Sequence, residues 1–207
     1  MRLTVPAPIA VHVVVPALWA FRVGHPGIDL ILLATSRVLD VGRGEADVAV
    51  RNIVPVGGGI VSRRIGTVKA ALYASRSYIS QRGTPIARDL AGHDFVDFEQ
   101  GTYAGPGFEW LPAAVRNARV VLRADDPALL TKAAVSGLGV AALPGFLADD
   151  EPSLVQLGDD ESRPGVHLVV REDVRRLARV RAVSSWITEL MAGRSEWLAR
   201  PSRAQRR

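Results

Sequence analysis

The sequence predicts an α/β fold divided into two units, and three observations carry that prediction. From the first residues, short apolar runs alternate with helix-like segments in a β-α-β-α-β order. Helices this short between apolar strands require right-handed crossovers, which lay the strands parallel. From Ile60 onward two strand-like runs follow one another with only Gly66-Thr67 between them, and a second α/β pattern then begins. The composition agrees: 207 residues, 48% hydrophobic and 23% charged, supply apolar material for one large or two small cores. Such a chain is neither disordered nor collagen-like.

Element by element, Arg2 to Pro6 alternates as a strand, and Ile9 to Val23 follows with Val13, Ala17, Ala20 and Phe21 at helical spacing. Pro16 is expected in a first helical turn or at a kink, because it has no N–H to donate. Gly24-His25-Pro26-Gly27 breaks the segment, and Ile28 to Leu33 reads as a strand buried on both faces. Ser36 to Arg43 reads as a short helix ended by Gly44, and Asp47 to Arg51 as a third strand. Ile60 to Ile65 and Val68 to Ala74 are further strands, Arg76 to Gln81 a helix, and Gly83-Thr84-Pro85 a turn. Asp125-Asp126-Pro127 opens the best-marked helix, with an acidic cap, proline at the first helical position and Gly137 just past its end. Val140 to Leu143, stopped by Pro144, and Val166 to Arg171 are strands. Arg175 to Met191 closes the chain as an amphipathic helix presenting Leu177, Val180, Val183, Ile187 and Leu190 on one face.

Several chemistries are excluded at this stage. There is no cysteine, so disulfides, thiolate metal sites and cysteine nucleophiles are absent. His12, His25, His93 and His167 are scattered without a serine or carboxylate at motif spacing, and no G-x-S-x-G, H-E-x-x-H or Walker pattern occurs. Gly137-Leu138-Gly139-Val140-Ala141-Ala142 matches G-x-G-x-x-A, but with a helix before it and a strand after it, the reverse of a dinucleotide site. Asp149-Asp150-Glu151 and Asp159-Asp160-Glu161 lack calcium-loop spacing and read as solvated loops. Gly57-Gly58-Gly59 reads as a flexible connection, since no helix start follows it. The expectation is a binding protein with no cofactor, no metal and no catalytic residue. No leader is read at Met1 to Pro8, no uninterrupted apolar run reaches the roughly 18 residues a bilayer span needs, and a soluble, cytoplasmic protein is expected. The net charge is +5, yet four arginines fall in the last eight residues, so the remainder is nearly neutral and no nucleic-acid surface is implied.

The ordered set Pro16-Ala17-Leu18-x-x-Phe21-Arg22-x-x-His25-Pro26-Gly27-Ile28-Asp29-Leu30, then Gly44-Glu45-Ala46-Asp47-Val48-Ala49-Val50-Arg51, resembles the regulatory domain of LysR-type transcriptional regulators. Arg63-Arg64-Ile65-Gly66, Tyr73-Ala74-Ser75-x-x-Tyr78, Asp89-Leu90-Ala91-Gly92-His93 and Gly137-Leu138-Gly139-Val140-Ala141-x-Leu143-Pro144 follow in the family's order, and the resemblance runs from residue 2 to about 192.

The resemblance implies a periplasmic-binding-protein-like (type II) fold of two α/β subdomains with an interdomain cleft for a small-molecule effector. Subdomain I would span 1–74 and 166–192, subdomain II 75–165, and 193–207 would be a basic, disordered tail. The effector positions carried over are Pro8, Ile9 and Ala10 after the first strand, Arg51 and Asn52 after the third, and Asp125, Asp126 and Pro127 at the main helix, with Thr102 and Tyr103 in a loop over the site. An organic acid is the favoured effector, because helix N-termini and Arg51 both suit a carboxylate. A cationic or neutral effector stays open, because the first loop has no hydroxyl and Asp125-Asp126 adds negative charge. A homodimer is implied through the first helix, Ile9 to Val23, against residues 127–136 of the other copy. The family's helix-turn-helix would precede the first strand, so DNA is expected to be reached only through an attached N-terminal domain. The competing readings are a stand-alone solute-binding protein of a transporter and, less favoured, an enzyme on the same scaffold.

Overall fold

The computed structural model describes residues 1–35, 39, 41–53, 58–99 and 109–198, the side chains of 159–161 excepted. The chain divides into two compact units, Met1–Gly66 with Gly165–Glu196, and Thr67–Pro164 with the segment from Trp197.

Unit 1 is built on a five-stranded sheet in the order β2-β1-β3-β10-β4. Its strands are β1 (Arg2–Val5), β2 (Ile31–Ala34), β3 (Val48–Arg51), β4 (Ile60–Thr67) and β10 (Gly165–Arg171). β1 runs parallel to both β2 and β3, while β10 is antiparallel to β3 with His167 opposite Arg51. All four residues of β3 are buried, as both-face coverage of a central strand requires. The expectation for Ile28 to Leu33 fails in one respect: β2 begins only at Ile31 and is an edge strand with both ends exposed. Of the helix expected over 36–43, positions 36–38 and 40 lie outside the described residues. Residues 41–44 form a turn in which Gly44 (φ 79°) donates its N–H to the Val41 carbonyl at 3.0 Å.

The first helical run, Ala7–Gly24, is continuous and irregular. α1 (Ala7–Ile9) passes into a π-turn (Ala10–Val14), a 3-10 turn (Val15–Ala17) and α2 (Leu18–Gly24). Pro16 sits near the start of the 3-10 turn, where no intrahelical N–H is required of it, so the chain is not broken there. This corrects the expectation that no helix reaches membrane-spanning length: Ala7–Gly24, at 18 residues, is long and apolar enough by length and composition. Its Ile9, Ala10, Val13, Val14 and Phe21 are buried in unit 1, while about a third of the segment in all is buried. The closing helix α7 (Ala178–Gly193) starts three residues later than expected and buries Val180, Val183, Ile187 and Met191. Leu177 is exposed at the N-cap instead of joining that face.

Unit 2 is a second five-stranded sheet, β7-β6-β8-β5-β9. Its strands are β5 (Ala70–Ser75), β6 (Asp94–Phe98), β7 (Arg119–Ala124), β8 (Val140–Pro144) and β9 (Leu154–Ser162), and its helices are α3 (Arg76–Arg82), α4 (Leu111–Ala114), α5 (Pro127–Val135) and α6 (Gly145–Ala148), with the second half of the last helix, α8 (Ser195–Leu198). β5 is buried throughout because its residues alternate between two apolar layers. Ala70, Leu72 and Ala74 join Tyr78, Leu90, Phe95 and Leu111, while Ala71 and Tyr73 join Leu130, Ala134 and Leu143.

The division between units falls after Gly66 rather than after residue 74, because β5 pairs antiparallel with β8 and β9 and so belongs to the second sheet. The expectation of a tail from residue 193 fails for its first part. Ser195–Leu198 is helical, Leu198 is buried, and the Trp197 ring lies 4.9 Å from that of Phe146; residues 199–207 lie outside the described residues. β9 is a further correction, since it incorporates Asp159-Asp160-Glu161, expected in a loop, and pairs Glu161 with Ala71.

Two close approaches fix unit 2 locally. A Cβ on Gly139 would lie 2.6 Å from the Asp94 carbonyl, so only glycine lets β8 reach β6. Lys69 is fully buried. Its Nζ donates to Gln156 Oε1 at 2.9 Å, its N–H donates to the Leu198 carbonyl at 2.9 Å, and its carbonyl accepts from Gly145 N at 2.8 Å.

Candidate functional site

In unit 1 the expected site residues gather at the C-terminal ends of adjacent parallel strands, where open α/β sheets bind ligands. β1 and β3 are neighbours with Thr4 opposite Ala49, so the turn after Val5 and the end of β3 lie side by side. Arg51, the last residue of β3, is buried. Its Nη2 donates to Thr4 Oγ1 at 2.6 Å and its Nη1 to the Val50 carbonyl at 2.9 Å. Thr4 Oγ1 in turn donates to the Leu33 carbonyl at 3.2 Å, so one side chain of β1 links β3 to β2. Removal from water disfavours the charged guanidinium and pushes its pKa down to about 10. A cation in a poorly hydrated wall gains more from an anion than one in bulk water.

The other residues of this edge differ. Pro8, Ile9 and Ala10 are buried in the first helical turn and offer no polar side-chain atom, so a ligand could meet only their apolar surface and main chain. Asn52 is exposed in the bend after β3. In unit 2, Asp125, Asp126 and Pro127 occupy the corresponding place, between the end of β7 and the start of α5. Asp126 is the N-cap, and its Oδ1 accepts from Ala128 N at 2.7 Å. That N–H is therefore already satisfied by a carboxylate of the chain itself, and the helix start is less available to an anionic ligand than the sequence suggested. Asp125 is exposed beside it. Thr102 and Tyr103 lie outside the described residues.

Among the described residues no group of three or more His, Asp or Glu is arranged to hold a metal ion. Two of the histidines sit against aromatic rings. The Tyr78 hydroxyl is 3.2 Å from His93 Nδ1 and accepts from Asp94 N at 2.9 Å, while the His25 ring lies 4.7 Å from that of Phe21.

A family model, the LysR substrate binding domain, matches residues 1–192. The chain belongs to this family. Among similar proteins, an HTH-type transcriptional regulator of Xanthomonas campestris pv. campestris (strain 8004) is 29% identical over 147 residues, 68% of this chain and 43% of that protein. The HTH-type transcriptional regulator CrgA of Neisseria meningitidis serogroup C (strain 8013) is 24% identical over 176 residues, 79% of this chain and 58% of CrgA. The LysR substrate binding domain described here thus spans about half the length of the relatives it matches. The regulatory domain of Neisseria meningitidis CrgA superposes with a TM-score of 0.76 at 21% identity, covering 92% of this chain and 98% of that one. The effector domain of Pseudomonas aeruginosa AmpR gives 0.72 at 20% identity, covering 95% and 96%. The fold is therefore that of LysR-type regulatory domains, periplasmic-binding-protein-like of type II.

One residue of this LysR-type domain escaped the sequence reading. Thr4 stands between Leu3 and Val5 in a strand of ordinary alternation, and only the sheet register brings it to Arg51, 47 positions later. Its burial is a product of that register, so no signal along the chain marks it.

Proposed function

We propose that this chain is the effector-sensing part of a LysR-type transcriptional regulator, working in the cytoplasm and controlling transcription through a DNA-binding domain attached to it. It binds its effector without transforming it. Arg51 is the observation that carries this reading: a buried cation, oriented by Thr4, at the strand ends where α/β sheets take ligands. A small organic acid is the ligand it suits best, since a guanidinium engages a carboxylate in a bidentate pair. Pro8, Ile9, Ala10, Asn52, Asp125, Asp126, Pro127, Thr102 and Tyr103 remain candidates. Melting temperatures measured against a panel of small carboxylates, amines and aromatics test the proposal. At a hundred times its dissociation constant a carboxylate effector adds about 2.7 kcal/mol. The gain should vanish in Arg51→Met, which keeps the apolar stem. A panel without effect, or equal gains in Arg51→Met and the parent chain, would sink it.

The regulator is further proposed to pair as a homodimer through the first helix of one copy and the 127–136 helix of the other. Val11, Val15, Trp19 and Val23 recur every four residues on one side of that first run, and all four are exposed, Trp19 at 79%. Leu129 is likewise exposed on α5. Contiguous exposed apolar side chains of this kind mark association surfaces. Sedimentation equilibrium should report a dimer at micromolar concentration.

A further inference from the structure

A recessed surface lies wholly within unit 1, where the C-terminal turn of α2 meets the middle of α7. It is a groove of about 310 Å³ whose walls include Phe21, Gly24, His25, Ser185, Trp186 and Glu189. Phe21 joins the wall's aromatic members: its ring lies 4.3 Å from that of Trp186 at an interplanar angle of 30°, and 4.7 Å from that of His25 at 42°. Such rings present electron-rich faces that attract cations. Glu189 follows Trp186 by three residues and Ser185 by four, so its carboxylate shares their side of α7. Among the described residues that carboxylate makes no ion pair and no hydrogen bond. The groove also lies at the C-terminal turn of α2, where the partial charge of a helix is negative. Ring faces, a carboxylate and one helix C-terminal turn all favour positive charge.

We propose that this groove is a binding site for a small organic monocation, an alkylammonium or alkylguanidinium. The charged head pairs with Glu189 and the alkyl stem lies on Trp186. The volume sits at the lower end of the range for ligand sites, which selects a compact molecule. The site uses no residue of the Arg51 edge, so its success or failure is separate from that of the effector reading.

Gly24 supplies an independent handle. A Cβ there would meet no atom within 4 Å and its φ is not positive, so Gly24→Leu fills the groove without straining the helix end. The chain has four tryptophans, and loss of one indole N–H resonance in Trp186→Phe assigns the reporter. Titration of the full chain with n-butylammonium and with n-butylguanidinium should move that resonance saturably. Butanol and butyrate should leave it in place. Glu189→Gln should weaken the cation about fivefold, the order expected for an exposed carboxylate acting with an aromatic face. Gly24→Leu should abolish the response while the other indole signals stay unchanged. No saturable movement with either cation would overturn the proposal. An equal response to butanol or butyrate would overturn it too, since the groove would then be merely apolar. So would undiminished affinity in Glu189→Gln, and the four-ligand comparison on the parent chain decides the matter even if a variant fails to fold.

Discussion

The helical run Ala7–Gly24 and helix α5 are similar in position, each following a parallel strand of its sheet, and opposite in construction. α5 carries its boundaries in its own residues. Asp126 caps it and Pro127 opens it. Its end is a Schellman motif, with Leu138 N donating to the Ala133 carbonyl, Gly137 N to the Ala134 carbonyl, and Gly137 at φ 83°. The first run has no side-chain cap at Pro6, two internal prolines, β-branched residues at 11, 13, 14 and 15, and turns of three different pitches. Local propensity does not account for a helix there. Burial of Ile9, Ala10, Val13, Val14 and Phe21 holds it in place, while its other side remains apolar and exposed. A helix defined by local signals is legible from sequence, and one defined by its surroundings takes its form from them.

Three substitutions probe that contrast, in descending order of expected effect. Leu130→Ala removes a fully buried side chain from the layer shared by α5 and its sheet and should cost about 3 kcal/mol in denaturant unfolding. A cost below about 1 kcal/mol would mean that α5 rests on its caps alone. Asp126→Ala deletes the N-cap and should cost about 1 kcal/mol by the same measurement, a loss the first run has no equivalent residue to suffer. Trp19→Arg should change unfolding of the isolated chain by less than about 0.5 kcal/mol, since the side chain is already solvated, yet shift sedimentation to the monomer. A large stability loss in Trp19→Arg would instead make that residue part of the fold of its own copy.

The same division between local and contextual signals explains how far the sequence could be read. The α/β class, β1, β3, β4, β5, β8, β10 and α5 were all legible, because apolar runs bounded by glycine or proline marked them. β6 and β7 were not, and the charges that hid them are what pairs them. Asp94 and Asp97 on β6 stand opposite Arg119 and Arg123 on β7, with Arg119 Nε 2.8 Å from Asp94 Oδ1 and Arg123 Nε 3.6 Å from Asp97 Oδ2. Read along the chain those residues break an apolar pattern, and across the sheet they complete one. β9 was hidden likewise by its Gly158 and acidic residues, and the neighbouring β5 supplies its pairing. At the candidate site, Arg51 and the Asp126 cap could be picked out from sequence. The Thr4 contact could not, since it depends on two strands lying parallel.

The burial of Lys69 has a practical corollary for chemistry performed on this protein. The chain holds only two lysines against 24 arginines, and the other, Lys132, has a side chain 72% exposed and paired with Glu151 on the surface. Amine-directed reagents therefore address one lysine in the native state. Acylation of the second can proceed only when unit 2 opens, so its rate becomes a clock for that event.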